Sequence, residues 1–566
     1  MKSYNIIIQL VSVIGIIFMV NIISNYFYGE IDLTDDKRYT LSASTKEIIS
    51  TPDDNITITV LLEGDFPAGF KRLQSSVKEM ISKFQSLNSN IVVAYENPSE
   101  GVPRVMEQRR KSLAEDKIIP INLSYSDGTQ LVQKAVYPFA VITFNNRKQV
   151  VNLLEEQKPG DDEDEILNKS VALLEYKFAN AFQKMIANRS KNILFTTSNG
   201  ELAEDQVFRL ATEMRKFNRV GRISLDTTVR IDTTIDLLIV AGPTTEFTLQ
   251  NQFKIDQYVM NGGKIIWMID KFDTSLDSIN KYKFYIPPSI ETNLDELLFK
   301  YGVRLMPDLI MDLECSAIPQ VIGMAGDKPQ TKLFPWYYHL STASSSPHVI
   351  VKNIDRVNLF FPSTIDTLKA DGNVKKTVLL KSSKYARSQL APVRLSFEIL
   401  KTEPDPSKFN DGNKAVAVLL EGVFESAFKN RVTPEFKSTL EQLNVKFEEK
   451  SIPTKQLLIS DADFAKNLVN TSTGDTEDIG YNKWERRYYK GNKDFIFNAV
   501  EYMLNDESTL ESRSKEIKLR LLDGVKTKQE KTKWQVINVV LPVVILALFG
   551  YLFVYLRRRK YGKPGF

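Results

Sequence analysis

Two hydrophobic runs, one near each end of the chain, enclose a long polar stretch between residues 29 and 533. The first run covers residues 6–28 and the second covers residues 536–556. At ~1.5 Å of rise per residue, a helix of either length reaches across the ~30 Å apolar core of a bilayer. A cleaved signal peptide has a shorter apolar region, of roughly 7–15 residues. The pattern therefore predicts a transmembrane helix at each end, with both termini on the same side.

The polar stretch opens with strands and helices in a regular order between about residues 31 and 190. An extended apolar run precedes a stretch in which apolar residues recur every three or four positions, which is typical of an amphipathic helix. The predicted elements are a strand at 56–62, a helix at 70–84, a strand at 91–95, a helix at 103–115, strands at 139–144 and 148–153, and one long helix at 167–185. The segment between the second helix and the third strand is predicted to be a loop.

This order resembles the thioredoxin fold. That resemblance implies a cis peptide bond before the third strand, at Tyr137–Pro138. Redox chemistry requires a thiolate, and residues 31–190 contain no cysteine. The first domain is therefore expected to be a thioredoxin-like module used for binding or packing.

A second α/β domain is predicted for residues 191–493. Near-continuous apolar strands alternate with helices, which favours a parallel sheet covered on both faces. The alternation of strands and helices stops at about residue 307 and resumes after residue 410. The segment between these positions is interpreted as an insertion rich in strands and turns. Residues 415–420, 428–443 and 457–461 then predict further βαβ elements of the same sheet, and residues 494–533 a helical linker.

Polar residues follow the predicted strands at the edge where ligands of parallel sheets tend to bind. These residues form a candidate binding crevice: Ser198, Asn199, Gly200, Glu201, Asp270, Asp461 and Asp463. The alternative, that they are helix caps and strand-end turns, is the simpler explanation. Neither pattern by itself specifies catalytic, cofactor-binding or metal-binding residues.

Composition narrows the possible functions. The 74 basic and 70 acidic residues give a net charge of +4, which shows none of the cationic excess of a nucleic-acid-binding protein. The chain has no phosphate-binding loop of the G-x-x-x-x-G-K-[ST] type, no G-x-S-x-G motif and no H-E-x-x-H helix. The lone Cys315 lies outside any strained nucleophile turn and is interpreted as a structural thiol. No cofactor and no enzymatic activity are predicted.

Several motifs together carry a family resemblance. They are residues 31–42 (IDLTDDKRYTLS), 198–201 (SNGE), 347–353 (PHVIVKN) with 355–357 (DRV), 458–464 (LISDADF) and 491–495 (GNKDF). The chain resembles the gliding-motility-associated ABC-transporter components (GldG), within the wider family of ABC-transporter auxiliary proteins. The family commonly has Gly-His-Gly-Glu where this chain has Ser198-Asn199-Gly200-Glu201, and the loss of that histidine weakens any catalytic role.

The resemblance implies a non-catalytic subunit in a bacterial inner membrane, with two spans, cytoplasmic termini and a periplasmic body. Its implied partners are an ABC permease subunit, a cytoplasmic ATPase reached through that permease, other periplasmic gliding or secretion components, and the lipid bilayer. Charge alone leaves the orientation open, because lysines flank both sides of the second span. The resemblance also implies a class I glutamine-amidotransferase-like sheet in the second domain, without its cysteine nucleophile.

Two alternatives from other functional classes remain. One is a membrane-anchored hydrolase or amidotransferase-like enzyme that uses the polar strand ends at Glu201, Asp270 and Asp461. The other is a purely structural scaffold. The first would require catalysis at the candidate crevice, whereas the second would require no ligand there.

Overall fold

The computed structural model describes most of the chain between Thr40 and Tyr561. The described residues are 15, 16, 18, 19, 40–116, 118–126, 131–145, 147–155, 163–186, 190–216, 218–325, 328–344, 346–352, 354–368, 373–432, 446–469, 474–504 and 524–561. They fall into two structural units, Met1–Lys515 and Glu516–Phe566. The predicted first transmembrane helix lies outside the described residues, apart from four positions that are helical.

A four-stranded sheet packed on long helices forms the first part of the larger unit. Its helices are α1 (Ala43–Ser50), α2 (Ala68–Leu87), α3 (Pro103–Glu115), α4 (Glu163–Ala172) and α5 (Leu174–Ile186), and its strands are β1 (Ile56–Val60), β2 (Ile91–Tyr95), β3 (Ile121–Ser126), β4 (Leu131–Val136), β5 (Phe139–Phe144) and β6 (Arg147–Asn152). The strand order is β2-β1-β5-β6, and β3 pairs with β4 in a separate two-stranded sheet. Strands β1 and β2 are parallel, while β5 is antiparallel to β1 and to β6.

The core of this part forms because the apolar stripe of α2 meets that of α5. The ring of Phe84 contacts those of Phe178 and Phe182 edge to face, with centroids 5.7 and 5.8 Å apart. All three side chains are fully buried. Edge-to-face packing is the preferred geometry for such rings. Burial of this stripe positions α2 against the sheet.

Three predictions for this part are corrected by the structure. The predicted loop contains the β3–β4 hairpin, which the Asp127-Gly128 dipeptide between two alternating segments signals. The predicted final helix is two helices, divided at Leu173. The Tyr137–Pro138 bond is not cis. Among the described residues, the cis peptide bond is found at Ala391–Pro392 instead.

A tight main-chain turn replaces the predicted cis bond at Pro138. The N–H of Phe139 donates to the carbonyl of Tyr137 at 2.8 Å, and the carbonyl of Pro138 accepts from the N–H of Leu153 at the same distance. The Tyr137 side chain is buried. The chain therefore turns at Pro138 without a cis peptide bond.

A seven-stranded sheet dominates the remainder of the larger unit. The helices here are α6 (Phe208–Arg215), α7 (Leu249–Met260), α8 (Leu276–Tyr282), α9 (Asp295–Tyr301) and α10 (Lys490–Met503). The strands are β7 (Asn192–Thr196), β8 (Arg219–Ile223), β9 (Leu237–Ala241), β10 (Ile265–Met268), β11 (Val303–Leu305), β12 (Asp308–Asp312), β13 (Cys315–Ala325), β14 (Lys328–Thr342), β15 (Val357–Phe360), β16 (Ile365–Thr367), β17 (Asn373–Lys381), β18 (Ala386–Leu390), β19 (Ala415–Val423), β20 (Thr454–Ile459), β21 (Tyr481–Asn482) and β22 (Arg487–Tyr488). The large sheet has the order β17-β19-β20-β10-β9-β7-β8.

This sheet is mixed, whereas the sequence predicts a parallel one. Strands β8, β7, β9, β10 and β20 are parallel, but β19 is antiparallel to both β20 and β17. A strand buried on both faces has the same apolar composition in either direction, so its pattern carries no information on direction. The predicted helix at 428–443 lies largely outside the described residues.

Both faces of the large sheet are covered. Alternate residues of β9 pack into different cores, with Leu237 and Ile239 in one and Leu238 and Val240 in the other. Helices α6 and α10 contribute to the first core, and α7 and α9 to the second. The sheet is therefore the middle layer of three, as its continuous apolar strands predict.

The segment at 307–410 supplies most of the remaining strands. Strands β13, β14 and β15 form one small sheet and β12 pairs with β18, while β17 joins the edge of the large sheet. Residues 481–487, which the sequence predicts to be a loop, form part of the short β21–β22 hairpin. The domain boundaries proposed from the sequence remain a prediction.

The smaller unit contains one long helix, α11 (Gly524–Tyr561). Among the described residues, one helical segment, Lys533–Arg559, is long and apolar enough to cross a membrane. It includes the predicted second transmembrane segment at 536–556. Trp534 lies near one end of the segment and the arginines at 557–559 at the other, which is typical of a membrane-spanning helix.

Candidate functional site

The carboxyl ends of the parallel strands place the candidate residues along one edge of the large sheet. The chain passes from β7 to β8 on one side and later returns to β9 on the other side of β7. A reversal of this kind creates the crevice in which open α/β sheets tend to bind ligands. The loops after β7 and β9 border that crevice.

The loop after β7, residues 198–201, is bonded to its neighbours through both main-chain and side-chain groups. The carbonyl of Asn199 accepts the N–H groups of Thr244 and Thr245 at 2.9 and 3.1 Å, and its side-chain amide donates to the carbonyl of Glu246 at 2.8 Å. The hydroxyl of Ser198 accepts the N–H of Leu225 at 2.6 Å. The loop is therefore joined to the loops that follow both neighbouring strands.

Gly200 makes the closest of these approaches possible. Its φ is +67°, a conformation that favours glycine, and a Cβ at this position would overlap the hydroxyl of Thr244. That hydroxyl donates to the carbonyl of Gly200 at 3.1 Å. The Glu201 carboxylate accepts the N–H of Asn199 at 2.6 Å and so closes the turn. We call the loops at 198–201 and 244–246, held together in this way, the loop clasp.

Some buried polar atoms in and beside the loop clasp have no hydrogen-bond partner among the described residues. Within the described part of the chain, four buried polar atoms near it have no hydrogen-bond partner: Thr196 Oγ1, Asn199 Oδ1, Glu201 Oε1 and Arg222 Nη1. The other terminal nitrogen of Arg222 donates to the carbonyl of Leu202 at 2.8 Å. These atoms are three oxygens, one of them a hydroxyl that can also donate, and one cationic donor, so only a polar group could satisfy them.

The second cluster is a pair of carboxyl groups, Asp270 and Asp461, that follow the adjacent strands β10 and β20. Asp461 is completely buried. Its two oxygens accept the N–H groups of Phe360 at 2.6 Å and Asp463 at 2.8 Å. Asp270 accepts the N–H of Ala462 at 3.1 Å. The pair therefore joins two strands of the sheet to strand β15.

Burial and mutual repulsion keep this carboxyl pair from ionising fully. Burial, together with the negative charge of Asp463, raises the pKa of Asp270 to about 7. Burial and the charge of Asp270 raise the pKa of Asp461 well above its ordinary value. Like charges in a shared low-dielectric site have this effect. At neutral pH the pair carries fewer than two negative charges, which is the state an acid–base catalyst or a proton-sensitive contact would use.

The residues of the candidate crevice form two neighbouring clusters, and the crevice itself remains a prediction. Asp270, Asp461 and Asp463 lie together, and Asp463 is exposed with its carboxylate 3.3 Å from the Lys466 ammonium. Residues 198–201 belong to the loop clasp. The two clusters are joined at Gly242, where a Cβ would lie 3.3 Å from Leu202 and 3.1 Å from Ala462.

The partners of these residues were missed by the sequence analysis. Thr244 and Phe360 each complete one cluster, yet only the first has a local signal, the Gly242-Pro243 turn after a buried strand. Phe360 approaches Asp461 from a strand about 100 positions earlier in the chain. Such a long-range main-chain contact leaves no pattern in the sequence.

Nucleophilic and metal chemistry find little support in the described residues. Burial raises the pKa of the Cys315 thiol to about 12 and lowers the pKa of His339 to about 3. His339 is enclosed by aromatic rings, with Phe360 and Trp484 centroids 4.9 and 4.8 Å away. A neutral thiol and a neutral, enclosed imidazole are poor candidates for nucleophile and base. Among the described residues, no group of three or more His, Cys, Asp or Glu is arranged to hold a metal ion.

Two solved structures show a remote likeness to this chain. The mmIFT52 N-terminal domain is 12% identical with a TM-score of 0.30, covering 55% of this chain and 97% of that one. An exo-β-1,4-mannosidase, Op5Man5 from Opitutaceae bacterium strain TAV5, is 8% identical with a TM-score of 0.18, covering 75% of this chain and 51% of that one. At these TM-scores neither likeness bears on fold or function.

Comparison with sequences is more informative. An uncharacterized protein of Borreliella burgdorferi is 21% identical over 553 residues, which cover 96% of each chain. A family model for a domain of unknown function matches residues 35–143. A second family model, described as an ABC-type uncharacterized transport system, matches residues 190–499, and so includes both clusters and more than half of the chain. The chain therefore belongs to this family of ABC-transporter auxiliary proteins.

Proposed function

We propose that this protein is a non-catalytic, membrane-anchored subunit of an ABC transporter complex that serves gliding motility. In this proposal two helices anchor it in a bacterial inner membrane, its termini are cytoplasmic and its body is periplasmic. The body lies beside an ABC permease subunit, which connects it to a cytoplasmic ATPase. Membership of the ABC-transporter auxiliary family and the apolar segment Lys533–Arg559 support the transport and membrane parts. The motility and the topology follow from the resemblance to the GldG group.

The observation that carries the non-catalytic part is the loop clasp. The carbonyl and the side-chain amide of Asn199 are hydrogen-bonded to residues 244–246. These residues lie at the point where an open sheet would admit a substrate. A crevice bridged by the protein's own main chain favours a binding or connecting role over turnover. The clasp also supplies a candidate binding crevice with Asp270, Asp461 and Asp463 as its second half.

The proposed fold assignments fit this role. The strand order β2-β1-β5-β6 supports a thioredoxin-like first domain. The parallel core β8-β7-β9-β10-β20 supports an amidotransferase-like sheet in the second domain. With no cysteine between residues 31 and 190, the first domain has no thiol chemistry to perform. Both domains then act as binding modules.

Co-purification from the native host tests the proposed complex. The tagged chain, expressed at its natural level and extracted in mild detergent, is expected to recover an ATPase and a permease. The matched control replaces residues 533–559 with an unrelated single span, which keeps the protein in the membrane but removes side-chain contacts to a permease. Recovery of both partners with the native helix and their loss with the replacement supports the proposal. Recovery of neither partner with the native chain contradicts it.

Reporter fusions at both termini test the topology separately. A fluorescent protein that folds only in the cytoplasm is expected to fluoresce at either end, and alkaline phosphatase is expected to be inactive there. Active phosphatase at the C-terminus would contradict a periplasmic body held by two spans. This result would leave the transporter assignment untouched.

The carboxyl pair favours one second candidate, an enzyme that uses Asp270 and Asp461 for acid–base chemistry. A pKa of about 7 for a buried carboxyl group is the property that general acids and bases need. The triple variant Glu201→Gln, Asp270→Asn, Asp461→Asn removes every titratable group of the candidate crevice except Asp463. Unchanged motility at normal protein abundance would exclude this candidate, whereas loss of motility with the complex still intact would support it.

A further inference from the structure

Strand β2 is an open edge of the four-stranded sheet, because it pairs with β1 on one side only. The two strands are parallel, and the N–H of Glu96 donates to the carbonyl of Val60. In this register alternate residues of β2 point their main-chain groups away from β1. Val93 and Tyr95 therefore present N–H and carbonyl groups at the edge. Among the described residues, no hydrogen-bond partner is found for these groups.

Strand β2 has no charged residue, unlike the other three edges of the two larger sheets. Charged side chains on an edge strand discourage a further strand from pairing with it. The opposite edge of the same sheet, β6, begins with Arg147 and Lys148, and the edges of the large sheet carry two arginines in β8 and three lysines in β17. The sequence of β2 is Ile-Val-Val-Ala-Tyr, which also lacks proline. Of these four edges, β2 is the one suited to pairing with another strand.

Two large side chains of β2 are exposed, one on each face of the sheet. Val92 is 54% exposed and Tyr95 is 41% exposed. Side chains alternate between faces along a strand, so these two residues lie on opposite faces. A strand paired with β2 would therefore cover an apolar side chain on each face as well as the open main-chain groups.

A second copy of the same strand is complementary to this edge. In an antiparallel pair centred on Val93, the two Val93 residues exchange both of their main-chain hydrogen bonds. Val92 then faces the small side chain of Ala94 in the other copy. Tyr95 faces Ile91, and aromatic and β-branched side chains paired in this way stabilise sheets. The two-fold axis makes each of these contacts twice.

The polar groups beside β2 also fit an antiparallel pair. Helix α2 places Lys78 at one end of the strand, over the ring of Tyr95, and Gln85 at the other end, where its amide donates to the carbonyl of Ile91 at 3.1 Å. Because Tyr95 of one copy faces Ile91 of the other, each Lys78 lies towards Gln85 of the other copy and not towards its own equivalent. A parallel pair would instead bring the two lysines together, and like charges opposite each other are destabilising.

We propose that β2 is a homodimer interface, in which two copies of the chain pair antiparallel about Val93. The two four-stranded sheets then form one continuous sheet across the two-fold axis. An extended segment of another protein could use the same main-chain groups, but the second copy also matches the side chains at each position. The proposal goes beyond the proposed function and does not depend on it.

Disulfide cross-linking between two differently tagged full-length copies tests the register. In a Cys315→Ala background, one copy carries Val92→Cys and the other carries Ala94→Cys. Residues 92 and 94 of opposite copies form a non-hydrogen-bonded pair with Cα atoms about 4.5 Å apart, a separation that a disulfide can bridge. The matched control carries Thr143→Cys in both copies, because Thr143 is exposed on the same face of the sheet but lies on β5, two strands from the edge.

Mild oxidation of membranes that contain both copies is expected to link residue 92 to residue 94 at least about tenfold faster than it links the control cysteines, since only the former have disulfide geometry. Val92→Cys in both copies is expected to cross-link more slowly, because those residues face each other only diagonally. Absence of the 92–94 link, or a faster 92–92 link, would overturn the proposal. A link from residue 92 to a different protein would also overturn it, because it would assign the edge to another partner.

The mass of the full chain in mild detergent tests the interface without introduced cysteines. The native chain is expected to be a dimer, and Val92→Lys is expected to be monomeric, because a lysine on the edge discourages pairing. Thr57→Lys is the matched control, since Thr57 is the exposed neighbour of Val92 on β1, and it is expected to remain dimeric. A monomeric native chain, or a dimer that Val92→Lys leaves intact, would overturn the proposal.

Discussion

The buried carboxylate of Asp461 accepts the main-chain N–H of Phe360 at 2.6 Å, and this bond ties the large sheet to the segment at 307–410. An ionised or polarised acceptor strengthens a main-chain hydrogen bond of this kind. Because Asp461 shares its site with Asp270, the charge on this acceptor depends on pH. We therefore expect the contact between the large sheet and the segment at 307–410 to depend on pH.

The first prediction concerns the pH dependence of stability. The folded protein holds a proton on Asp270 up to a pKa of about 7, whereas an unfolded chain releases it near pH 4. The unfolded state then binds fewer protons between these values, so the free energy of unfolding falls as pH rises from 4 to 7. The contribution is on the order of 2 kcal/mol between pH 5 and 7.

The variant Asp270→Asn is expected to weaken this dependence, because asparagine stays neutral and its carbonyl still accepts the N–H of Ala462. Thermal unfolding in mild detergent at several pH values between 5 and 8 measures it. The matched control is Asp366→Asn, at an exposed position of β16, which is expected to keep the native pH slope. An identical slope in Asp270→Asn and the native chain would contradict the prediction.

The second prediction concerns Glu155, which is held between two lysines. Its oxygens lie 2.9 Å from the Lys177 ammonium and 2.8 Å from that of Lys490. Burial alone would raise the pKa of Glu155, but the two lysines outweigh it and lower that pKa to about 2. Glu155→Gln is expected to reduce the free energy of unfolding by about 2 kcal/mol at pH 7.

Unfolding measured at decreasing pH tests whether the ionised Glu155 stabilises the fold. A carboxylate with a lowered pKa stabilises the fold above its ordinary pKa, and that contribution is lost as pH falls from about 4.5 towards 2. Glu155→Gln is therefore expected to unfold less steeply with acid than the native chain. The control Glu107→Gln breaks an exposed pair with Lys111 and should cost less than about 0.5 kcal/mol. Equal costs for the two variants would contradict the buried ion pair.

The third prediction explains one of the sequence motifs. A Cβ on Gly491 would overlap the carbonyl oxygens of Asp355 and Arg356, so helix α10 can approach this segment only with glycine at that position. Gly491→Ala is expected to destabilise the protein by about 2 kcal/mol, measured as a lower thermal midpoint. Gly323→Ala serves as the control, because its Cβ would meet nothing closer than 3.9 Å. If Gly491→Ala unfolded at the same temperature as the native chain, the helix would have to be able to shift freely, and the prediction would be wrong.

The fourth prediction concerns Asp256 on α7, a buried carboxyl group with four hydrogen bonds. It accepts from the Ser426 hydroxyl at 2.7 Å, the Ala427 N–H at 2.9 Å, the Gln257 amide at 3.0 Å and the Tyr301 hydroxyl at 3.0 Å. Asp256→Ala leaves these buried donors without an acceptor and is expected to cost about 3 kcal/mol.

Asp256→Asn is the conservative comparison, because it keeps one carbonyl acceptor and should cost less. Urea unfolding of both variants measures the difference. Asp277→Ala, at an exposed position in the first turn of α8, is the control and should cost less than about 0.5 kcal/mol. Equal losses for Asp256→Ala and Asp277→Ala would show that the network adds nothing to stability.

Sequence patterns predicted the elements whose burial follows a simple period. The strand at 91–95 and the helix at 103–115 have the predicted bounds. Asp270 and Asp461 could be placed together because they follow apolar runs, and the carboxyl ends of parallel strands share an edge. Local composition was sufficient to predict those elements whose burial repeats along the chain with the period of a helix or a strand.

Other features depend on contacts that composition does not record. The direction of β19 is set by its pairing with β17 and β20 and not by its residues. The loop clasp depends in part on the main chain, because the carbonyl of Asn199 accepts the N–H of Thr244. The bond from Phe360 to Asp461 likewise uses a main-chain N–H. Interactions made by the backbone cannot be inferred from side-chain identity.

Helix α10 is bonded to the four-stranded part of the larger unit and to strand β15, and this has a mechanical consequence. Lys490 binds Glu155 near the start of the helix, and the carboxylate of Glu501 near its end accepts the hydroxyl of Tyr176 at 3.3 Å. Between them, Asn492 exchanges hydrogen bonds with the main chain of Asn358. A force that pulls on the chain after Leu504 would act on these bonds at the same time. They would have to break together and not one after another. Tension applied to the chain there would therefore reach both parts at once.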